Sequence, residues 1–259
     1  MPAHMPVVFV SHGAPDALLK APDAVACWRE IGQRAGIPSA ILSVSAHWEA
    51  RVPTASLAGA PTTIHDFTGF DPALHHMQYP APGAPVMAER VVSLLSAAGI
   101  EAELHPNRGL DHGAWVPLSV MFPQANVPVT QLSLIRDGGP VAHYAIGQAL
   151  APLRDEGVLI LASGAITHNF GWLDWRAGAD SAPVHEARAL SDWLGGKLAE
   201  RDIQAQLNYR LAPHGAEAHP SEEHFLPLFV ALGAAGDQAP ERYQPRFAYG
   251  GLSMDAYVW

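Results

Sequence analysis

Four short apolar runs constrain the fold of this 259-residue chain more than any other feature of its sequence. They lack the polar alternation of a half-exposed strand, which is typical of strands buried on both faces of a sheet. The segments between them have helical periodicity, which predicts an α/β fold with a central, mostly parallel or mixed sheet and helices on both faces. The four predicted strands are Val7–Val10, Ala40–Ser45, Val127–Leu134 and Val158–Ala162.

Weaker strand patterns and several helical patterns complete this prediction. No repeat, low-complexity tract or linker divides the chain, so we expect a single domain over residues 1–259. The weaker strands are predicted near Val52–Leu57, Glu101–Leu104 and Arg246–Gly250. The predicted helices are Asp23–Arg34, Pro85–Ala98, residues 141–154 and residues 184–201.

Charge and cysteine content exclude several classes of function. A net charge of −10 argues against a nucleic-acid or acidic-membrane partner, because nothing here would neutralise phosphates. Cys27 is the only cysteine, which excludes an intramolecular disulfide and a thiolate zinc site. Apolar runs such as Val158–Ala162 are far shorter than the ~20 residues that span a bilayer, and MPAHMPVVFV lacks the pattern of a secretory signal. We therefore expect a soluble, cytoplasmic protein.

A histidine follows three of the predicted strands. These residues are His12, His47 and His168. In α/β sheets ligands bind beyond the carboxyl ends of the strands, so the three side chains are expected to line one rim. A single histidine after a strand is more often structural, but three at corresponding positions favour a shared site.

A fourth histidine completes a possible metal site. His224 is predicted about one turn inside a helix that starts at Pro220 or Ser221. The alternative is that this acidic turn is merely solvated. Two imidazoles from strand ends and one from a helix give three nitrogen ligands for a divalent metal, with coordination positions left open for chemistry.

Two further segments are candidates for pocket walls. His112 lies in RGLDHGAWVPL, where Asp111 is a candidate to orient a ring; the alternative is an ordinary turn histidine. The segment His65–Pro85 is longer than most loops that only connect two elements. Its length predicts a lid or pocket wall, with a packed surface loop as the alternative. The aromatic candidates for a pocket lining are Trp48, Phe67, Phe70, Trp115 and Trp172.

Seven motifs, in order over nearly the whole chain, resemble those of class III extradiol ring-cleaving dioxygenases, and in particular the 4,5-DOPA dioxygenase-like branch. The most specific are SAHWE at 45–49 and HPSEEHFLPL at 219–228. The resemblance implies a single catalytic domain that opens the ring of a catecholic substrate with O₂. The other motifs are SHGAP at 11–15, HDFTGF at 65–70, YPAPG at 79–83, LDHGAWVPL at 110–118 and ASGAITHNF at 162–170.

The resemblance also implies roles for individual residues. His12, His47 and His224 would bind the metal, His168 would be the acid–base residue and a fourth ligand when substrate is absent, and His112 would line the substrate pocket. In the protocatechuate-cleaving branch the third ligand is a glutamate, which makes Glu223 the alternative to His224. The family usually has tyrosine at the position of His65 and a basic residue at that of Asp255.

The implied cofactor is Fe(II), although zinc is expected in purified protein because it binds nitrogen-rich sites more tightly. One alternative keeps the site but makes the protein a mononuclear zinc hydrolase, with a metal-bound water activated by His168. Another is a non-enzymatic binding protein on the same scaffold. The expected partners are a small aromatic substrate and O₂, and the sequence carries no indication of oligomeric state.

Overall fold

One eight-stranded sheet runs through the residues that the computed structural model describes, which are 4–176 and 182–259. In chain order its strands are β1 (Val7–Ser11), β2 (Ala40–Ala50), β3 (Thr54–Ser56), β4 (Glu103–His105), β5 (Val129–Ile135), β6 (Val158–Gly164), β7 (Glu241–Tyr243) and β8 (Ala256–Val258). They lie side by side in the order β4-β3-β5-β2-β6-β1-β8-β7. The four strongest strand predictions are confirmed, and they form the centre of this sheet.

The central strands are parallel and the flanks are mixed. β5, β2, β6 and β1 pair in parallel with one another in that order, whereas β8 runs antiparallel to both β1 and β7. β3 pairs antiparallel with β5. Because parallel strands end at the same edge of a sheet, the residues that follow β1, β2 and β6 are brought to one rim.

Helices cover both faces of the sheet, as the α/β prediction requires. Short 3₁₀ segments occur at Pro72–His76, Ala151–Arg154, Phe170–Trp172 and Tyr209–Leu211. Among the described residues the α-helices are α1 (Ala17–Lys20), α2 (Pro22–Ala35), α3 (Pro85–Ala97), α4 (His112–Met121), α5 (Gly139–Leu150), α6 (His185–Glu200), α7 (Ile203–Leu207), α8 (Gly215–Ala218) and α9 (Leu226–Ala235).

Alternate residues of the central strands supply two separate cores. In β1, Val7 and Phe9 belong to the core that includes residues of α3, α5 and α9, whereas Val8 and Val10 belong to the core that includes residues of α2 and α4. Successive side chains of a strand point to opposite faces, so a strand covered on both sides is apolar at every position. This explains why the central strands have continuous rather than alternating hydrophobicity.

Two predictions near the carboxyl-terminal end of the chain are wrong. Arg246–Gly250 is not a strand and contributes only an isolated bridge between Ala248 and Leu252. The predicted helix at Pro220 or Ser221 begins instead at Leu226, so His224 lies in the preceding turn. The reason is Pro227, because a proline fits the first turn of a helix but would break a helix that had started two turns earlier.

The helices also bear on membrane association. Within residues 4–176 and 182–259, no helix has both the length and the apolar character needed to cross a membrane.

Candidate metal centre

Two strand ends place the first two histidines of the site. His12 follows β1 directly, and its backbone N–H donates to the carbonyl of Gly164, 3.0 Å away, at the end of β6. His47 lies in β2 beyond Ser45, the last residue of β2 that pairs with β6. The pairing of β2 with β5 is irregular across this point, so the strand changes its register where His47 reaches the rim.

The third histidine reaches the same rim from the other end of the chain. The backbone N–H of Ala165 donates to the carbonyl of His224 at 2.7 Å, which fixes this turn against the end of β6. A side chain on Gly164 would collide with that carbonyl oxygen. Glycine is therefore needed here for the close approach of two backbones.

His12, His47 and His224 form a compact group of nitrogen donors. Each offers one ring nitrogen, and the three nitrogens lie within 4.8 Å of one another. The Nε2 atoms of His12 and His47 are 3.0 Å apart. His12 and His224 are buried and His47 is partly buried. Convergent imidazoles at this spacing match the donor set that a divalent transition metal takes, so these residues fit a mononuclear metal.

The second ring nitrogen of two of these histidines is held by a neighbour. Ser163 Oγ donates to the carbonyl of Gly113, so it accepts from His12 Nδ1–H, 2.9 Å away. Glu223 Oε1 accepts from His224 Nδ1–H at 2.9 Å. Both rings are thus held in the tautomer whose Nε2 lone pair is free, which is the usual way proteins prepare histidine for a metal. Glu223, the alternative ligand named in the sequence analysis, thus orients the ring of His224.

Burial keeps the three imidazoles uncharged. Burial, together with the nearby His47, lowers the pKa of His12 well below its ordinary value. Burial and the nearby His168 do the same to the pKa of His224. The pKa of His47 is lowered to about 4 by burial and by His112. At neutral pH all three are therefore in the form that binds metal.

His168 lies beside this group rather than within it. Its ring stacks on that of His224, with centroids 3.5 Å apart and planes 10° from parallel. Its ring nitrogen clusters with Glu223 and His224, and its backbone N–H donates to the carbonyl of Ala218. Burial lowers the pKa of His168, although Glu223 opposes the shift. The imidazole is therefore neutral and faces the cavity next to the three donors.

A carboxylate that the sequence analysis missed holds His112. Asp66 Oδ1 accepts from the backbone N–H of His112 at 3.1 Å and from its Nδ1–H at 2.9 Å. The other oxygen of Asp66 lies 3.7 Å from His47 Nδ1. Burial alone would raise the pKa of Asp66, but the hydrogen bond from His112 lowers it to about 2. The only signal in the sequence was its place in HDF, inside the predicted pocket wall.

Asp111 does not orient a histidine ring, and that prediction is wrong. Its buried carboxylate accepts from Ser45 Oγ at 2.7 Å and from Gln131, and it pairs with Arg108 at 3.2 Å. It also caps α4 by accepting from the backbone N–H of Ala114. Since aspartate is a preferred cap, its position before α4 accounts for the residue without a role at the site.

A cavity of about 440 Å³, which we call the inner cavity, lies beside this group, although His12 itself is not among its lining residues. His47, His112, His168 and His224 line it, and the segment from Asp66 to Phe70 forms one wall, as predicted for residues 65–85. Of the predicted aromatic residues, only Phe67 and Phe70 belong to its lining, which also includes Phe170 and Trp175. Trp48, Trp115 and Trp172 lie elsewhere.

Comparison with known proteins identifies the family. Residues 1–258 match the family described as "Catalytic LigB subunit of aromatic ring-opening dioxygenase". The chain belongs to this family.

Individual relatives agree with this assignment. This dioxygenase is 41% identical over 246 residues to the 4,5-DOPA dioxygenase extradiol of Beta vulgaris. The match covers 89% of this chain and 87% of the relative. It is 36% identical over 239 residues to the protein of that name from Escherichia coli K12, with 91% and 87% covered. A crystal structure of an uncharacterized E. coli K12 protein superimposes with a TM-score of 0.80 at 32% identity, covering 98% of this chain and 99% of that one.

These similarities confirm the resemblance found in the motifs. The protein is an extradiol ring-cleaving dioxygenase of the 4,5-DOPA dioxygenase-like branch. The family implies a small aromatic substrate and O₂. The comparisons thus favour the dioxygenase over the zinc hydrolase and the non-enzymatic binding protein.

Proposed function

We propose that this dioxygenase opens the ring of a DOPA-like catechol with O₂ at an Fe(II) ion bound by His12, His47 and His224. The observation that supports this most directly is the convergence of three neutral imidazoles, two of which, His47 and His224, line an aromatic-lined cavity. Relatives named 4,5-DOPA dioxygenase extradiol support the choice of substrate. The whole chain would act as one catalytic domain.

The ligand set suits an acidic phenol as substrate. When bound, Fe(II) supplies open coordination positions for the catechol and O₂ and the electron that activates O₂. The three ligands are neutral, so they leave the 2+ charge of the ion uncompensated, which favours a deprotonated catechol. The aromatic wall formed by Phe67 and Phe70 holds the ring and excludes water.

We assign proton transfer to His168. It faces the inner cavity beside His224, and its lowered pKa leaves it unprotonated at neutral pH. It is therefore able to accept a proton from a catechol hydroxyl and to return one as the ring opens. The bond broken would lie beside the two hydroxyls, giving a muconic-semialdehyde-type product.

His112 would position the substrate. Its Nδ1–H is donated to Asp66, so in the neutral ring Nε2 is left to accept a hydrogen bond in the inner cavity. The carboxylate thereby fixes both the orientation and the tautomer of the ring.

The test compares two variants after anaerobic loading with Fe(II). We expect His168→Ala to retain metal but to lose most turnover, about 100-fold, because general acid–base catalysis contributes about 10²–10⁴-fold. We expect His47→Ala to lose both metal and turnover, since it removes a ligand. Metal analysis and O₂ uptake with DOPA, protocatechuate, caffeate and simple catechols measure these effects. Normal turnover by His168→Ala would refute its role.

The same assay separates the dioxygenase from a zinc hydrolase. The dioxygenase should take up O₂ with Fe(II) and be inactive with zinc, because zinc does not change its oxidation state. A hydrolase would be active with zinc in the absence of O₂.

A further inference from the structure

A second cavity lies beside the inner cavity, and two aromatic side chains line both. This outer cavity has a volume of about 460 Å³. The shared residues are Phe70 and Trp175, whose ring centroids are 6.4 Å apart. Since the two cavities share this wall, they are neighbours, and a substituent that passed between Phe70 and Trp175 would enter the outer cavity.

The inner cavity is unsuited to a negatively charged substituent. Among the described residues that line it there is no lysine or arginine, and its wall includes the carboxylate of Asp66. The positive charge of a metal would be engaged by the catechol oxygens. A carboxylate attached to the opposite side of the catechol ring would therefore be repelled by Asp66 or left without a partner.

The outer cavity is also lined by carboxylates, those of Asp16 and Asp71, but unlike the inner cavity it has a cation, which is held in place. Lys20 lines it, and Lys20 Nζ is 2.9 Å from Asp16 Oδ2 and 5.9 Å from the ring centre of Tyr249. Asp16 is buried, and its Oδ2 also accepts from Tyr249 Oη at 2.6 Å. An ammonium group has three donors, and Asp16 takes one of them. The side chain of Lys20 is 62% exposed, so its other donors are accessible.

We propose that the outer cavity is a subsite for a carboxylate on the substituent of the catechol, and that Lys20 binds this carboxylate. The proposal rests on the proposed function, since it takes the catechol ring to lie in the inner cavity. It names the substrate class as catechols whose side chain ends in a carboxylate, as in 3-(3,4-dihydroxyphenyl)propionate or DOPA. Phe70 and Trp175 would flank the methylene groups between the ring and the charge.

The kinetic test uses the ratio of two kcat/KM values, for 3-(3,4-dihydroxyphenyl)propionate over 4-methylcatechol, with Fe(II)-loaded protein. We expect Lys20→Gln to lower this ratio at least about fivefold, mainly through KM, because it removes a partly exposed charged hydrogen bond. Lys20→Arg should restore most of the ratio. Lys197→Gln is the matched control, since Lys197 pairs with Glu200 and Asp202 away from both cavities.

An equal ratio in wild type and Lys20→Gln would overturn the proposal, as would an equal fall in Lys197→Gln. Calorimetric titration of zinc-loaded protein with both catechols measures the subsite without turnover. If wild type binds the propionate more tightly than 4-methylcatechol and Lys20→Gln does not, the subsite is supported. This holds even if the enzyme consumes no O₂ with any catechol, a result that would refute only the proposed function. If the wild-type protein binds both catechols equally tightly, the subsite proposal fails, whereas the proposed function is unaffected.

Discussion

Asp66 shows how a single loop residue can organise several groups of the site. One of its oxygens holds both the backbone and the ring of His112, and the other faces His47. A carboxylate in this position fixes ring orientation and tautomer, and loss of such a partner typically costs about 10–100-fold in activity or metal affinity. The orientation of His112 in the site therefore depends on Asp66, which is not one of the proposed metal ligands.

We expect Asp66→Ala to lower kcat about 10–100-fold with Fe(II), because His112 loses the acceptor that fixes its tautomer. Asp66→Asn should retain more activity, since an amide oxygen still accepts one hydrogen bond. Steady-state O₂ uptake, with metal content measured for each variant, checks both values. Wild-type kcat in Asp66→Ala would show that His112 is positioned by its other contacts.

At the residue scale, the sequence predicted the positions of those site residues that directly follow a strand. His12 and His47 stand where apolar runs end, so their arrival at one rim follows from the parallel sheet. Asp66, Phe170 and Trp175 were not predicted, because their places depend on how long connections fold back over the rim. Trp115 was misplaced for a related reason: its ring is fully buried, with Nε1–H donated to the carbonyl of Ile64.

At the level of elements, the contact between β6 and the turn before α9 determines where His224 lies. The carbonyl of His224 accepts from Ala165 N–H and lies where a Cβ on residue 164 would collide with it. The turn that contains His224 is thus fixed against the end of β6. A change in this strand should therefore displace His224, the third of the proposed metal ligands, even though Gly164 has no side chain.

We expect Gly164→Ala to weaken metal binding at least about tenfold and to destabilise the fold by about 1–3 kcal/mol, because the added methyl group would displace the backbone of His224. Gly196→Ala is the control: it lies within α6, and an added Cβ there meets no atom within 4 Å. That variant should bind metal normally and be more stable by about 0.5–1 kcal/mol. Metal titration and thermal unfolding test both; unaltered metal affinity in Gly164→Ala would contradict the packing argument.

Apart from α4, the elements that sequence patterns missed are short. β7 and β8 have three residues each and lie beyond β1 on the antiparallel side of the sheet. Three residues carry too little periodicity to distinguish a strand from a loop, and such strands form because a neighbouring edge is available. The start of α9 was misplaced because acidic residues after Pro220 imitate a helix start, although Pro227 marks the actual one.

Across the whole molecule, the proposed metal would connect parts of the chain that are distant in sequence. His12 and His47 belong to the central strands, whereas His224 comes from the turn before α9. A metal that binds only the folded state adds about 2.7 kcal/mol of stability at a concentration 100 times its dissociation constant. For a domain of this size each kcal/mol raises Tm by about 2–4 °C.

We therefore expect chelator-treated protein to gain about 5–10 °C in Tm when zinc or Fe(II) is restored at such an excess. His47→Ala should gain much less, since it lacks one of the three donors. Differential scanning calorimetry under anaerobic conditions measures both. A full gain in His47→Ala would mean that the metal stabilises the protein from some other place.

The positions of the proposed ligands along the chain also determine when the site can be assembled during synthesis. His12 leaves the ribosome early and His224 late, and at about 5–20 residues per second the interval is roughly 10–40 s. β8, which pairs with β1, is made later still. A nascent chain would therefore expose His12 and His47 well before His224 is available, so the proposed metal would be bound only after most of the chain has been made.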